Sequence, residues 1–108
     1  MSQLKFNEYD EGFGSELLCP ACGGNYLHHT RTEIFDRVAE DSGGLHIQAN
    51  GRSLHIDTSL LRNPSRRRDG LIIRFYCEAC PVISELTVVQ HKGNTLLDFH
   101  ATEEREYR

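Results

Sequence analysis

Four cysteines, and only four, occur in the 108 residues, and they come as two C-x-x-C pairs: Cys19-Pro20-Ala21-Cys22, followed by Gly23-Gly24, and Cys77-Glu78-Ala79-Cys80, followed by Pro81. This spacing lets both sulfurs of one tight turn face the same ion, so the pairs are expected to meet in one tetrahedral four-cysteine site. Tetrahedral thiolates accept zinc or iron. A structural Zn2+ is the expected occupant, with Fe as the alternative. Glycine suits the position after the second ligand, because amides crowd toward the sulfurs there and Gly takes φ > 0 without a Cβ clash. Four thiolates leave no open coordination position, and the chain has neither H-x-E nor H-E-x-x-H. No catalytic residue is therefore assigned, and the chain is read as a non-enzyme.

Other cysteine chemistries fit less well. Met1 to Gly14 is acidic and carries no apolar h-region, so neither a signal peptide nor an oxidising compartment is expected, and the location reads as cytoplasmic. A thioredoxin-like pair opens a helix in a βαβ unit, whereas Cys22 is followed by Gly-Gly-Asn-Tyr, a turn running into a strand.

The elements that must position the two knuckles read as strands. Leu17-Leu18 precede the first pair and Leu71 to Tyr76 the second, the pattern of a ribbon in which two turns at hairpin ends each give two ligands. Tyr26 to Val38 reads as a strand leaving the first knuckle, rich in Thr and free of internal Gly and Pro. Asp41-Ser42-Gly43-Gly44 reads as a turn. Leu45 to Ala49 and Arg52 to Asp57 flank Asn50-Gly51, a preferred type I′ pair. That turn sets Ile47 opposite Leu54 and His46 opposite His55, with Leu45, Ile47, Leu54 and Ile56 on one face, expected to pack inward. Opposed histidines invite a second metal or a pH sensor, but two ligands are too few for tight binding, and a solvated polar face accounts for them. His28, His29, His91 and His100 are read in the same way.

Asp57 to Arg62 suggests one helical turn, stopped by Asn63-Pro64-Ser65. After an exposed Arg-rich loop the chain is strand again: Leu71 to Tyr76, then Leu86 to His91, a Gly93-Asn94 turn that sets Val88 opposite Phe99, and Thr95 to His100. The expected fold is thus a small all-β domain, a four-cysteine zinc ribbon of antiparallel hairpins with little or no helix. It occupies residues 15–101, with an inserted hairpin at 45–57 and an Arg-rich loop at 62–70, between a flexible arm (1–14) and a tail (102–108). A metal joining residues 19–22 to 77–80 closes a long loop, so much of the stability should depend on it.

Charge is unevenly spread. The formal net charge is −4, and four thiolates around one Zn2+ make it about −6. Residues 1–61 carry four basic and nine acidic side chains, residues 62–74 five Arg and one Asp, and residues 75–108 three basic and six acidic. All the excess positive charge lies in one short segment. No stretch approaches the ~18 apolar residues of a membrane-spanning helix, so no membrane partner is expected.

Cys-Pro-x-Cys-Gly-Gly at 19–24, Asn63-Pro64-Ser65 with Arg67-Arg68-Asp69-Gly70, Phe75-Tyr76-Cys77-Glu78-x-Cys80 and Gln90-His91-Lys92-Gly93-Asn94-Thr95 together resemble a group of small uncharacterised zinc-ribbon proteins of actinobacteria and their phages or prophages. The resemblance covers roughly residues 17–97. The knuckles are common to all ribbons; the Arg loop and the Gln-His-Lys-Gly-Asn-Thr turn are the distinctive part. It implies the ribbon fold and a bacterial or phage setting, and no activity.

Two function classes stay open beside the remote one of a redox or metal-dependent enzyme. In the first, a nucleic-acid-associated adaptor or regulator, Arg62, Arg66, Arg67, Arg68, Arg74 and Lys92 meet phosphates, with Tyr76 or Tyr26 stacking on a base. In the second, the same loop docks on an acidic protein partner, or an exposed β edge adds a strand. No small-molecule substrate is expected. An acidic body with one basic loop suits an adaptor within a larger complex better than a protein that finds DNA unaided.

Overall fold

The structure, a computed structural model, describes residues 4–9, 14–37 and 43–105. Eight strands follow one another along the chain: β1 (Phe6–Tyr9), β2 (Gly14–Leu17), β3 (Leu27–Arg37), β4 (Gly44–Asn50), β5 (Ser53–Asp57), β6 (Gly70–Cys77), β7 (Val82–His91) and β8 (Asn94–Glu104). Strands β1 and β2 form a small antiparallel ladder, and the other six build one antiparallel sheet in the order β5-β4-β3-β6-β7-β8. The fold is all-β, with no helix among the described residues.

The centre of the sheet positions the cysteines. β3 leaves the first knuckle and β6 enters the second, and they pair antiparallel from Leu27 opposite Cys77 to Phe35 opposite Gly70, with a bulge between His29 and Arg31. Adjacent strands thus deliver the two turns, more than fifty residues apart in the chain, to one end of the sheet.

The two faces of the sheet differ. One carries Arg31, Glu33, Phe35, His46, Asp57, Gly70, Ile72, Arg74 and Glu85, and the segment 58–69 crosses it. Phe35 and Ile72 are buried there, with the His46 ring stacked on Phe35 at 4.6 Å. Pro64 and Asn63 lie so close to the Gly70 backbone that a Cβ at that position would sit 2.2 Å from Asn63 Oδ1 and 2.8 Å from the proline ring. Glycine is required at 70 by this close approach. The other face is apolar. Across all six strands runs the row Ile56, Ile47, Ile34, Leu71, Val88, Leu97, and beside it Leu54, Ala49, Thr32, Ile73, Leu86, Phe99.

Several expectations are corrected. In the β4–β5 hairpin the central turn residues are Gly51 and Arg52, so Ile47 faces Ile56, Gln48 faces His55 and His46 faces Asp57; the two histidines are not opposed. A φ of +62° at Gly51 with none at Arg52 is the pattern of a type II′ turn, which needs φ > 0 only at its first central residue. In the β7–β8 hairpin the turn is Lys92-Gly93 rather than Gly93-Asn94, both residues having positive φ (52° and 82°), and Val88 faces Leu97 instead of Phe99. The apolar face of β4–β5 does not pack inward: Leu45, Leu54 and Ile56 are exposed, while the polar face buries His46. Residues 57–62 form no helix: Asp57 Oδ1 takes the N–H of Ser59, and the segment makes one tight turn, closed by Asn63 N–H on Leu60 O (3.1 Å), before Pro64. Within the expected arm, Phe6–Tyr9 pair with Gly14–Leu17, and of the expected tail Thr102–Glu104 belong to β8. The predicted turn at 41–44 lies partly outside the described residues; Gly44 opens β4.

Candidate metal centre and cationic cleft

Cys19, Cys22, Cys77 and Cys80 form one cluster in which all four sulfurs lie within 4.8 Å of one another. The separations Cys19 Sγ to Cys80 Sγ, 3.8 Å, and Cys22 Sγ to Cys77 Sγ, 3.7 Å, match the edge of about 3.8 Å of a tetrahedron with metal–sulfur bonds of ~2.3 Å. The donor set fits a closed, four-coordinate ion, with no fifth protein ligand in the cluster among the described residues.

The knuckle backbone builds this geometry. Gly23, at φ +77°, donates its N–H to Cys19 O (3.0 Å), and Cys19 N–H returns to Gly24 O (2.9 Å). The N–H of Gly24 points at Cys22 Sγ (3.3 Å), and a Cβ on Gly24 would stand 3.2 Å from that sulfur and 3.3 Å from Ala79 Cβ. The bond from Gly24 holds the Cys22 thiol below its usual range. Burial pushes Cys77 up and Cys80 up to about 12, so as free thiols these two stay protonated and a metal must displace their protons.

The second knuckle is braced from outside. Glu78 N–H donates to Tyr26 O (3.1 Å), Arg105 Nη2 donates to Cys77 O (2.8 Å), and Arg105 N–H donates to Pro81 O (2.7 Å). Glu78, between two ligands, pairs with His28. Tyr76 is stacked on His28 and lies beneath the Arg105 guanidinium (4.9 Å each), so its ring is already engaged; Tyr26 is exposed.

The six basic residues singled out in the sequence divide into two groups. Arg66, Arg67, Arg68 and Lys92 come together with Ser65 and His91 around one cleft of about 350 Å3. The loop is a built structure: Ser65 N–H donates to Asn63 Oδ1 (3.0 Å), Asn63 Nδ2 to Arg68 O (3.0 Å), Arg68 N–H to Ser65 Oγ (3.0 Å) and Ser65 Oγ to Gln90 O (2.8 Å). Ser65 is buried, and its link to β7 carries the arginines to the β7–β8 turn. Arg62 and Arg74 pair with carboxylates of the sheet. Arg62 contacts Glu33 (3.0 Å) and Glu85 (3.2 Å), and Arg74 contacts Glu103 (2.9 Å) and Glu85 (3.9 Å).

Sequence reasoning did not find the network around Glu33, a carboxylate only 1% exposed. His46 bridges Glu33 Oε1 (3.0 Å) and Asp57 Oδ1 (2.9 Å), and His55 Nε2 reaches Asp57 Oδ2 (2.7 Å). Each ring nitrogen of His46 thus faces a carboxylate oxygen. Burial works to raise the Glu33 pKa, but Arg62 and His46 outweigh it and hold it below the usual range. Asp57 is held down to about 2, first by the Ser59 N–H and then by His46. The available signal was a Glu between Arg31 and Phe35 in the same phase of β3, an acid on the face that also holds a large aromatic.

The fold and site define a small all-β domain in which two C-x-x-C knuckles make one tetra-Cys cluster able to bind a metal. No family model matches the chain, nor does any curated protein or solved structure.

Proposed function

We propose that the protein is a non-catalytic zinc ribbon of bacterial or phage origin that acts in the cytoplasm as a nucleic-acid-associated adaptor or regulator. Cys19, Cys22, Cys77 and Cys80 hold a structural Zn2+ that ties β3 and β6 together, and the cleft of Arg66, Arg67, Arg68, His91 and Lys92 receives backbone phosphate. The observation that carries this reading is the convergence of loop and turn: residues 24 positions apart in the chain, Arg68 and Lys92, line one cleft. Guanidinium forks match phosphate oxygens, and a loop already fixed by Asn63 and Ser65 loses little freedom on binding. Arg62 and Arg74, committed to Glu33, Glu85 and Glu103, position the loop and brace the sheet. The resemblance at Asn63-Pro64-Ser65, Arg67 to Gly70 and Gln90 to Thr95 falls on these same two segments.

The test is the salt dependence of binding to oligonucleotides, duplex and single-stranded. Each phosphate neutralised on duplex DNA contributes about −0.9 to the slope of log K against log salt. Changing Arg66, Arg67 and Arg68 to Ala should flatten the slope by about 2.7 at unchanged metal content and fold. If no oligonucleotide binds near physiological salt, and the triple variant loses a protein from a nuclease-treated lysate, the loop docks on an acidic protein and the nucleic-acid reading fails. Elemental analysis of purified protein decides between Zn and Fe.

A further inference from the structure

We propose that the apolar face of the six-stranded sheet is a self-association surface, on which a second copy of this chain packs sheet against sheet. The two complete rows named above hold twelve side chains, eleven of them apolar and the twelfth Thr32, and none charged. Ile34, Leu45, Leu54, Ile56 and Leu97 on this face are 40–66% exposed, whereas Ser84 and Phe99, at the cysteine end of β7 and β8, are already buried at 1% each. A sheet with one apolar face buries it against another layer, and contiguous exposed apolar surface beyond a few hundred Å2 marks an interface. The crossing segment 58–69, which provides such a layer, lies on the opposite face.

Shape and size favour a second copy over other occupants. Five inter-strand gaps of ~4.8 Å make the face about 24 Å wide, and the rows from Leu45 to Phe75 run roughly 20 Å along the strands. A single docked helix, ~10 Å across, would leave more than half that width bare. Another copy of the same sheet covers it fully at the usual spacing of about 10 Å. Leaving out the corner at Ser84 and Phe99 that is already buried, the projected area is on the order of 400 Å2 per copy, and side-chain relief brings the pair to about 1,000 Å2, the range at which an interface holds. The two complete rows are uncharged and so self-complementary, and they offer nothing to a charged partner; Asp36, opposite Leu45 at one end of this face, is a charged side chain in phase with them. An isologous pair buries neutral surface on both sides, as two-fold symmetry requires. It leaves both cationic clefts facing outward.

Sedimentation equilibrium of the metal-loaded protein tests this. A dimer, twice the 12.3 kDa chain mass, is expected at micromolar concentration and should be insensitive to salt. Ile34→Lys, at the centre of the face, should shift the dissociation constant at least 100-fold toward monomer at unchanged metal content and circular dichroism. Should Ile34→Lys fail to fold, Leu54→Lys on the edge strand, already largely exposed, should still weaken the dimer at least 10-fold. A wild-type monomer at 100 μM overturns the proposal, whether or not the face then captures a different protein. So does a dimer that both lysine variants leave intact, since that places the contact elsewhere, or one dispersed by salt.

Discussion

Gly24 sits where a side chain would press on the metal ligands, with a built Cβ 3.2 Å from Cys22 Sγ and 3.5 Å from Cys77 Sγ. Its N–H also orients Cys22 (3.3 Å). Because outer-sphere partners of this kind typically carry 10–100-fold in metal affinity, Gly24→Val should weaken zinc binding by at least ~10-fold in competition with a chelating dye. Gly23 differs: nothing lies within 4 Å of its Cβ position, and only its φ of +77° constrains it. Gly23→Asn, a residue that tolerates the left-handed region, should therefore keep near-native affinity, whereas equal losses at both positions would contradict this division. These roles were half legible. Glycines after a C-x-x-C are expected from the chemistry of the knuckle, but which one supplies φ and which supplies space depends on Ala79 and Cys77 across the cluster.

A second residue-scale consequence concerns acid. The Asp57 carboxylate links His46, His55 and the Ser59 amide, and its pKa falls from 3.8 to about 2. A depressed carboxylate pKa stabilises the fold fully above the unfolded value, and that contribution is lost as the pH falls through the folded value. The urea midpoint of Asp57→Asn should accordingly lie below that of wild type at pH 6, and the gap should close between about pH 4 and pH 2. A gap that stays constant with pH would assign the effect to something other than charge.

At the scale of elements, the two hairpins show what alternation can and cannot determine. Leu45, Ile47, Leu54 and Ile56 share a face, and so do Leu86, Val88, Leu97 and Phe99, as the sequence implies. Moving a turn by one residue changes partners by two positions and leaves each side chain on its face, so faces were legible while partners were not. The registers observed bring polar partners together that the expected ones would not. With Gly51-Arg52 at the turn, His46 lies opposite Asp57 and within reach of Glu33, and Gln90 meets Thr95 across the other ladder (3.0 Å). The turn residues give the third prediction. Lys92 is the one described non-glycine residue at positive φ, 52°. Lys92→Asn should raise stability by a few tenths to about 1 kcal/mol, measured by denaturant midpoint, since Asn enters this region with less strain. Gly51→Val, by contrast, should cost on the order of 1–3 kcal/mol. If Lys92→Asn destabilised the protein, the type I′ turn at Lys92-Gly93 would be wrong.

For the whole molecule, the outcome least visible in the sequence is which face of the sheet is covered. Periodicity separates two faces but does not say which one another segment crosses, and here the polar one is crossed, because Glu33 and Glu85 are satisfied by Arg62 from the segment above them. The metal cluster lies at one end of this sheet, while Phe35, Ile72 and the Glu33 network lie further along β3 and β6. A metal on the four cysteines would close a loop between residues 22 and 77, 55 positions apart, yet the strands also hold each other through a ladder. Two responses to metal removal can therefore be told apart. If the ladder alone suffices at the far end, chelation should open the sheet from the knuckles inward: the amides of Gly23, Glu78 and Arg105, bonded to Cys19 O, Tyr26 O and Pro81 O, should lose protection first. The amides of Glu33, Phe35 and Ile72 should exchange later and more slowly, because buried side chains and the Arg62 bridges remain. Cys80→Ser should reproduce the chelated pattern without added reagent, since three thiolates bind the ion far less tightly. Hydrogen exchange followed residue by residue after chelation checks this, and loss of protection at Phe35 and Ile72 in step with Glu78 would mean that the ion holds the entire sheet rather than its end.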